Sequence, residues 1–491
     1  MTESLLTTEE LLCAVKGVEI SSPKNVFFSS VATDSRNVSS GSLFVPLVGE
    51  KQNGHNYIPQ AMEKGASVVF VAAEEFSKKS EFYEKLAGEN PLVAFIKVKN
   101  TLYALQDAAL AYVEKFPGLV KISITGSCGK TTTKELMASV CIRHFGEKHC
   151  VYTKGNFNSE TGLPLSVFNI RKEHQIAVFE MGMNRENEIG EISAVLKSKY
   201  GIITNIGTAH IGILGSRENI AKEKRKSLDY IPADGAAFVP ASDDFADYCT
   251  QNVKGEVVKF GLEKENLEKL GICDVEDCGI LGTKFVLQEQ KVQLHLGGQY
   301  NFINALGVIA CAIKLGIPCN EIKEGIEAVK GLSGRLEIKK LILKNGVPLL
   351  LIQDCYNANL DSMSASIDFC AGIKGQNGMK KYFVLGDMKE LGAESEKAHR
   401  EIGKKLNKIA DCHVFFVGPE MKFAFEEFTD KARAEFYKAN DAEGFEKIAQ
   451  TIIEKASKND VLLLKGSHSM ELEKLTELFV KKGGMLTDES L

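Results

Sequence analysis

Several things are scarce in this chain, and each scarcity narrows what it does. There is no C-x-x-C pair. The 12 cysteines are scattered, and Cys273 and Cys278 flank an acidic stretch with no second pair or histidine close by. That pattern predicts reduced cysteines, mostly in the core, in a reducing compartment. There is no excess of basic charge: 60 Lys and Arg against 65 Asp and Glu leave a formal charge of -5. The chain therefore has no electrostatic footprint for nucleic acid, and a phosphate ligand must be met by local loops. No apolar run approaches the ~20 residues that span a bilayer. Met1-Thr-Glu-Ser carries neither the basic nor the apolar part of a secretory signal. These features predict a cytoplasmic protein without membrane insertion. What is present, 44% apolar and 25% charged residues, suits a globular protein, and 491 residues suggest three domains at ~100–200 residues each.

One stretch organises the rest. A β-branched run ending at Thr125 leads into Gly126-Ser127-Cys128-Gly129-Lys130-Thr131-Thr132, followed by a helix-forming segment over 134–145. This is strand, phosphate loop, helix. The glycines let backbone N–H groups close around phosphate oxygens, and the helix N-terminus adds favourable partial charge. Lys130 is expected on the β- and γ-phosphates, and Thr131 is expected to offer its hydroxyl to Mg²⁺. The match is to the short G-x-x-G-K-T form, since Ile124 stands where the longer pattern wants glycine.

Before this loop, Thr7 or Thr8 caps a helix start, 67–71 reads as a buried strand, 74–90 as one charged helix and 93–98 as a strand. Ser35, Arg36 and His55 fall in turns between strands, where a phosphate or a base can bind; a salt bridge and turn caps are the plainer alternative. After the loop, a strand over 175–179 closes on Glu180, a position suited to a metal contact beside a phosphate loop. A second strand from 200 ends near His210, and a lysine-rich helix over 218–228 follows. Strands alternating with helices predict an open parallel α/β sheet with ligands at its C-terminal edge. Beyond residue 330 the same alternation recurs, so a further doubly wound, Rossmann-like α/β unit is expected.

In this order, the phosphate loop, Asn156-Phe-Asn158 with Gly162-Leu-Pro164, Glu180-Met-Gly182 and Asn205-Ile-Gly with His210 resemble the Mur ligases, ATP-dependent amide ligases of peptidoglycan precursor synthesis. Gly298-Gln-Tyr-Asn301-Phe-Ile-Asn304 resembles that family's adenine-side helix. Asp354-Cys-Tyr356-Asn357-Ala358-Asn359 and Gly386-Asp387-Met388-Lys-Glu390-Leu391-Gly392 resemble the branch that adds D-alanyl-D-alanine. The D-N-P-R motif of the preceding amino-acid-adding step is missing.

The resemblance implies three units: 1–100 for a UDP-muramoyl-peptide, 101–333 for ATP, and 334–491 for the incoming D-alanyl-D-alanine. The reaction it implies joins that dipeptide to UDP-N-acetylmuramoyl-tripeptide through an acyl phosphate. It implies two Mg²⁺ ions, one held by Thr131 and Glu180, the other by His210 and a carbamylated Lys224. Asn301, Asn304, Arg335 and Asp354 join the loop residues around ATP. Ser35, Arg36, His55, Asn158, Asn357, Asn359 and Ser467 become substrate contacts, and a monomer is the default. Several positions depart from the family pattern. Lys226 stands where glutamate is common, Ser159 where asparagine is usual, and His468 where arginine is usual. A sister ligase of the folylpolyglutamate synthase kind and a nucleotide-binding scaffold without ligase activity remain as alternatives.

Overall fold

The computed structural model describes residues 4–21, 23, 26–374 and 379–487, and it is built on three large sheets in chain order. The first has five strands, ordered Val18–Ser21, Ala94–Val98, Ala66–Ala72, Ser42–Phe44 and Ser30–Ala32, with only the first pairing antiparallel. Thr7 opens the first helix, Thr8–Val15, through a reciprocal capping box with Glu10. The charged stretch expected as one helix is two, Ala73–Lys78 and Ser80–Glu89, because Lys79 leaves helical backbone angles. The Ser77 hydroxyl donates to the Ala73 carbonyl just before the break, a bond that competes with regular helix.

The second sheet is fully parallel, in the order Glu256–Phe260, Ala236–Pro240, Tyr200–Ile203, Val120–Thr125, Ile176–Glu180 and Cys150–Tyr152. Val120–Thr125 comes first of these in the chain yet lies inside the sheet. The connections after it run to both sides, and the crevice at its C-terminal end is where an open parallel sheet binds ligands. The register brings the functional ends together: Glu180 pairs with Ile124, and Ile203 with Thr125. Helix Thr101–Val113, capped by Asn100, buries Leu105, Ala108 and Ala109 in a core shared between the first and second sheets. The opposite face of the second sheet packs on helix Gln299–Lys314 and on a small antiparallel sheet, Ile272–Asp277, Thr283–Leu287 and Gln290–Leu294. Only the last of those strands is apparent in the sequence, because the first is exposed along most of its length and shows no apolar alternation.

The third sheet has seven strands. Ala434–Tyr437, Cys412–Val417, Lys381–Gly386, Val461–Lys465 and Pro348–Asp354 are parallel, with helices covering two separate cores. The doubly wound expectation misses one edge: Glu337–Ile342 forms a hairpin with Pro348–Asp354, and Met485–Thr487 adds antiparallel to it. The short Leu343–Val347 turn, with Gly346 at φ +81°, allows the reversal.

His399 is fully buried in this third unit. Its Nε2 accepts from the Met388 N–H at 3.1 Å, and its Nδ1 lies 2.7 Å from the Ser395 carbonyl, so the network puts the proton on Nδ1. Burial holds its pKa below the ordinary histidine value. A depressed folded-state pKa favours the neutral ring, so this stability is complete above the ordinary value of about 6.5 and is lost as pH falls through the lowered one. We expect the melting temperature to fall between about pH 7 and pH 5 by more in the unaltered protein than in H399Q, as read by thermal denaturation followed by circular dichroism.

Candidate active site

Strand Val120–Thr125 ends in Gly126 at φ +154°, where a β-carbon would stand 1.8 Å from Thr204 Oγ1. Gly129, at φ +80°, is the residue before helix Lys130–Phe145 and packs against Asn304, whose Oδ1 lies 2.6 Å from where a β-carbon would be. Both positions need glycine, one for room and the other for its backbone angle as well. Asn205 fixes the loop: its carbonyl accepts from the Ser127 N–H at 3.0 Å and its side-chain oxygen from the Cys128 N–H at 2.8 Å.

Two lysine side chains converge here, Lys224 fully buried and Lys130 partly. Lys130 Nζ and Lys224 Nζ each donate to the Gly126 carbonyl at 2.9 Å. Burial lowers the Lys130 pKa, with Glu180 opposing, and drives Lys224 well below the ordinary lysine value, helped by the charge of Lys130. Both effects shift Lys224 toward the neutral amine relative to a lysine in water. Across the loop, Thr131 Oγ1 donates to Glu180 Oε2 at 2.8 Å and Asn158 Nδ2 to Glu180 Oε1 at 2.7 Å. Glu180 is 2% exposed, and its backbone N–H is held by Thr153 Oγ1. A hydroxyl beside a carboxylate is a hard-oxygen donor set suited to Mg²⁺. Among the described residues there is no cluster of three or more His, Cys, Asp or Glu that would cage a metal unaided.

His210 Nδ1 lies 2.9 Å from Glu390 Oε2, a contact from the third sheet's unit to the second's. Both residues sit in left-handed backbone, at φ +63° and +64°. Non-glycine residues there cost about 1–3 kcal/mol each, a strain found mainly at functional sites. Burial pushes the His210 pKa down, and Glu390 opposes it; the Glu390 carboxyl is held low chiefly by the His210 contact.

The third unit supplies the opposite wall. Asp354 sits beside Lys465 in register, and their side chains pair at 2.8 Å. Lys465, 2% exposed, also donates to the Asn357 carbonyl at 2.8 Å, and Ser366 donates to Asp354. Arg335 lies over the Tyr356 ring, 3.9 Å from its centroid. Asn359 caps helix Leu360–Gly372 with Ser362 and touches Cys128 Sγ. Asp361 Oδ2 accepts from the Thr208 N–H at 2.6 Å and its hydroxyl at 2.8 Å, a second bridge between the units.

These walls enclose a cleft of about 690 Å³. From the residues singled out in the sequence it gathers Ser127 to Thr132, Asn158, Glu180, His210, Asn301, Asn304, Arg335, Asp354, Asn357 and Asn359. Gly126 and Lys224 lie just behind its wall. Four others are elsewhere. His55 is buried in the first unit, with Nε2 accepting from Ala72 and Nδ1 beside Asn53 Oδ1 at 2.8 Å. Ser35 bonds Gln60, and Arg36 is exposed and paired with Asp34. Ser467 is buried, its Oγ accepting from the Lys389 N–H. Asp361, Lys465, Arg217 and Asp243 also line the cleft and were not apparent as site residues. Lys465 alone had a sequence signal, a lysine closing a buried strand. Two of the departures from the family pattern have local partners. Lys226 pairs with Glu223 and with Asn187 Oδ1 at 2.9 Å, on the side toward helix Glu188–Leu196. Ser159 Oγ accepts from the Gly162 N–H at a helix start.

Comparison with known proteins agrees along the length of the chain. Residues 28–113 match the model "Mur ligase family, catalytic domain", 124–312 "Mur ligase middle domain", and 334–468 "Mur ligase, glutamate ligase domain". The UDP-N-acetylmuramoyl-tripeptide–D-alanyl-D-alanine ligase of Treponema pallidum is 36% identical over 97% of this chain and 100% of its own length. The Bacillus subtilis ligase of that name is 33% identical over 91% and 92%. Crystal structure I of MurF from Acinetobacter baumannii superposes with a TM-score of 0.83 at 29% identity, covering 98% of this chain and 100% of that one. MurF ligase from Thermotoga maritima in complex with ADP gives 0.74 at 25% identity, covering 92% and 97%. Its motifs, its three-sheet architecture and its full-length relatives establish that the chain belongs to the Mur ligase family.

Proposed function

We propose that this chain is an ATP-dependent ligase that joins D-alanyl-D-alanine to UDP-N-acetylmuramoyl-tripeptide, giving the pentapeptide precursor of peptidoglycan. The observation that carries the reading is the cleft itself, with the phosphate loop on one wall and Arg335, Asp354 and the Tyr356–Asn359 loop on the other. Relatives of that name matching over nearly the whole chain support the choice of substrates.

A carboxylate is a poor electrophile. In the proposed sequence the tripeptide's terminal carboxylate attacks the γ-phosphorus of ATP, and ADP leaves. The dipeptide amine then attacks the acyl carbon of the acyl phosphate. A tetrahedral intermediate collapses, inorganic phosphate departs, and the amine nitrogen gives up a proton. The protein's part is positioning and charge neutralisation. Lys130 meets the β- and γ-phosphates at the helix N-terminus. Arg335 faces the transferring phosphoryl group from the other wall, and no carboxylate among the described residues competes for it. The Asp361–Thr208 and Glu390–Gly212 bridges hold the walls together and keep water from the acyl phosphate.

Thr131 and Glu180 would hold one Mg²⁺, with His210 and a carbamylated Lys224 holding a second. Such ions neutralise phosphate charge when bound. The neutral amine, toward which burial shifts Lys224, is the form that reacts with carbon dioxide, and the product is an anionic oxygen donor. The three-way division at 1–100, 101–333 and 334–491 assigns the muramoyl-peptide to the first sheet, ATP to the second and the dipeptide to the third. A cytoplasmic monomer acting in cell-wall growth and division completes the reading.

The test is phosphate release from ATP and Mg²⁺ with UDP-muramoyl-tripeptide, with and without D-alanyl-D-alanine. Release that needs both, with a pentapeptide product by mass, supports the reading; nucleotide binding without turnover contradicts it. E180Q is expected to lower kcat roughly 100- to 1,000-fold, with an unchanged circular dichroism spectrum. Protein incubated with ¹³C-bicarbonate is expected to show a carbamate carbon by NMR that K224R lacks.

A further inference from the structure

A second cavity, of about 440 Å³, opens off the phosphate end of the cleft. Thr131, Asn156, Arg335 and Tyr356 line both spaces, so the two meet where the transferring phosphoryl group is proposed to lie. The proposed reaction leaves one chemical requirement there without a residue. When an amine attacks the acyl carbon, its nitrogen carries one proton too many. That proton must leave before the intermediate collapses to an amide, and a positioned base speeds its departure.

Glu135 is the one carboxylate among the described residues lining the second cavity. It follows Thr131 by four positions in helix Lys130–Phe145, so the two share a face, with β-carbons about 5–6 Å apart. Its Oε1 contacts Lys134 Nζ, and no partner takes Oε2 among the described residues. Lys134 is 1% exposed and Glu135 31%. The buried lysine anchors one oxygen and leaves the other open. A carboxylate one helical turn from bound phosphates opposes their charge and so hinders nucleotide binding. A part in the chemistry accounts for its place. The other proton acceptor in this wall, His468, belongs to the third unit, whereas the phosphate-loop helix itself carries Glu135.

We propose that Glu135 is the general base of the amide-forming step. The free amine bonds to the acyl carbon, and the carbonyl π pair moves onto oxygen. One N–H proton then passes to Glu135 Oε2. The electron pair on oxygen re-forms the carbonyl, the bond from carbon to the bridging oxygen breaks, and inorganic phosphate leaves with that pair. The protonated Glu135 returns its proton to water. This rests on the ligase reading above and adds to it the group that moves the proton.

The experiment separates the two half-reactions. ATP carrying ¹⁸O in its β–γ bridge is incubated with Mg²⁺ and UDP-muramoyl-tripeptide but no dipeptide. Reversible acyl phosphate formation then moves the label to non-bridging positions of the β-phosphate, read by ³¹P NMR. Pentapeptide formation is measured separately with D-alanyl-D-alanine. Unaltered protein, E135Q, E135D and H468Q are compared. E135Q is expected to keep the isotope exchange within about threefold and to lose kcat for pentapeptide roughly 100- to 10,000-fold, with KM for ATP no higher than in unaltered protein. E135D keeps a carboxylate and is expected to lose less; it carries the comparison if E135Q does not fold. Formate added to E135A is expected to restore part of the rate, which a purely structural role would not allow. A folded E135Q that loses both half-reactions alike, or neither, overturns the assignment and leaves the ligase reading standing; so does the selective loss appearing in H468Q instead. Absence of isotope exchange in the unaltered protein contradicts the acyl phosphate reading, and this assignment with it.

Discussion

Two lysine side chains on one carbonyl oxygen, Lys130 and Lys224 on Gly126, are the constraint around which this site is built. Burying two like charges side by side is costly. The fold meets that cost with one carboxylate, Glu180, at the end of the neighbouring strand, and by driving Lys224 toward its neutral form. The arrangement depends on parallel pairing in register. Ile124, Glu180 and Ile203 end together, and a shift of one residue would turn Glu180 to the other face. It depends also on Gly126, because a side chain there would collide with Thr204.

The third unit completes this site rather than building one of its own. Its contacts with the second are both polar and apolar: Asp361 on Thr208, Glu390 beside His210 and Asn359 against Cys128, with Ile211, Ile280 and Tyr300 packed on its core. Such contacts can form and break at modest cost, as a cleft that must admit substrates and then exclude water requires. His210 and Glu390, both in left-handed backbone, meet at this approach. Lys465 serves from within, tying Asp354 to the carbonyl of Asn357, while Asn359 touches Cys128 in the glycine-rich loop.

The parts legible in the sequence share one property: their signal is local. The strand, glycine loop and lysine show within a dozen residues, and Glu180 follows from a buried strand with a carboxylate at its end. The less legible parts depend on distant pairing. The strand Ile272–Asp277 is too exposed to show a pattern, and the antiparallel edge Glu337–Ile342 needs its hairpin partner to be recognised. Asp361 reads as an ordinary residue in a first helical turn, and only the second unit's Thr208 gives it a role. His55 is the converse: a histidine in a polar turn suggests a ligand contact, yet both ring nitrogens serve the first unit's own backbone and side chains. Lys226, a reversed charge near the proposed metal lysine, turns away because residues two apart on a helix do not share a face.

The most direct test of the central claim, that this cleft activates a carboxylate by phosphorylating it, follows oxygen rather than rate. UDP-muramoyl-tripeptide carrying ¹⁸O in its terminal carboxylate would be turned over with ATP and D-alanyl-D-alanine, and the released phosphate examined by ³¹P NMR. An acyl phosphate places one ¹⁸O in each phosphate formed, because the bridging oxygen leaves with phosphorus when the amine attacks carbon. Phosphate carrying no label would mean that ATP is cleaved by water, and the account of this cleft as a carboxylate-activating site would be wrong.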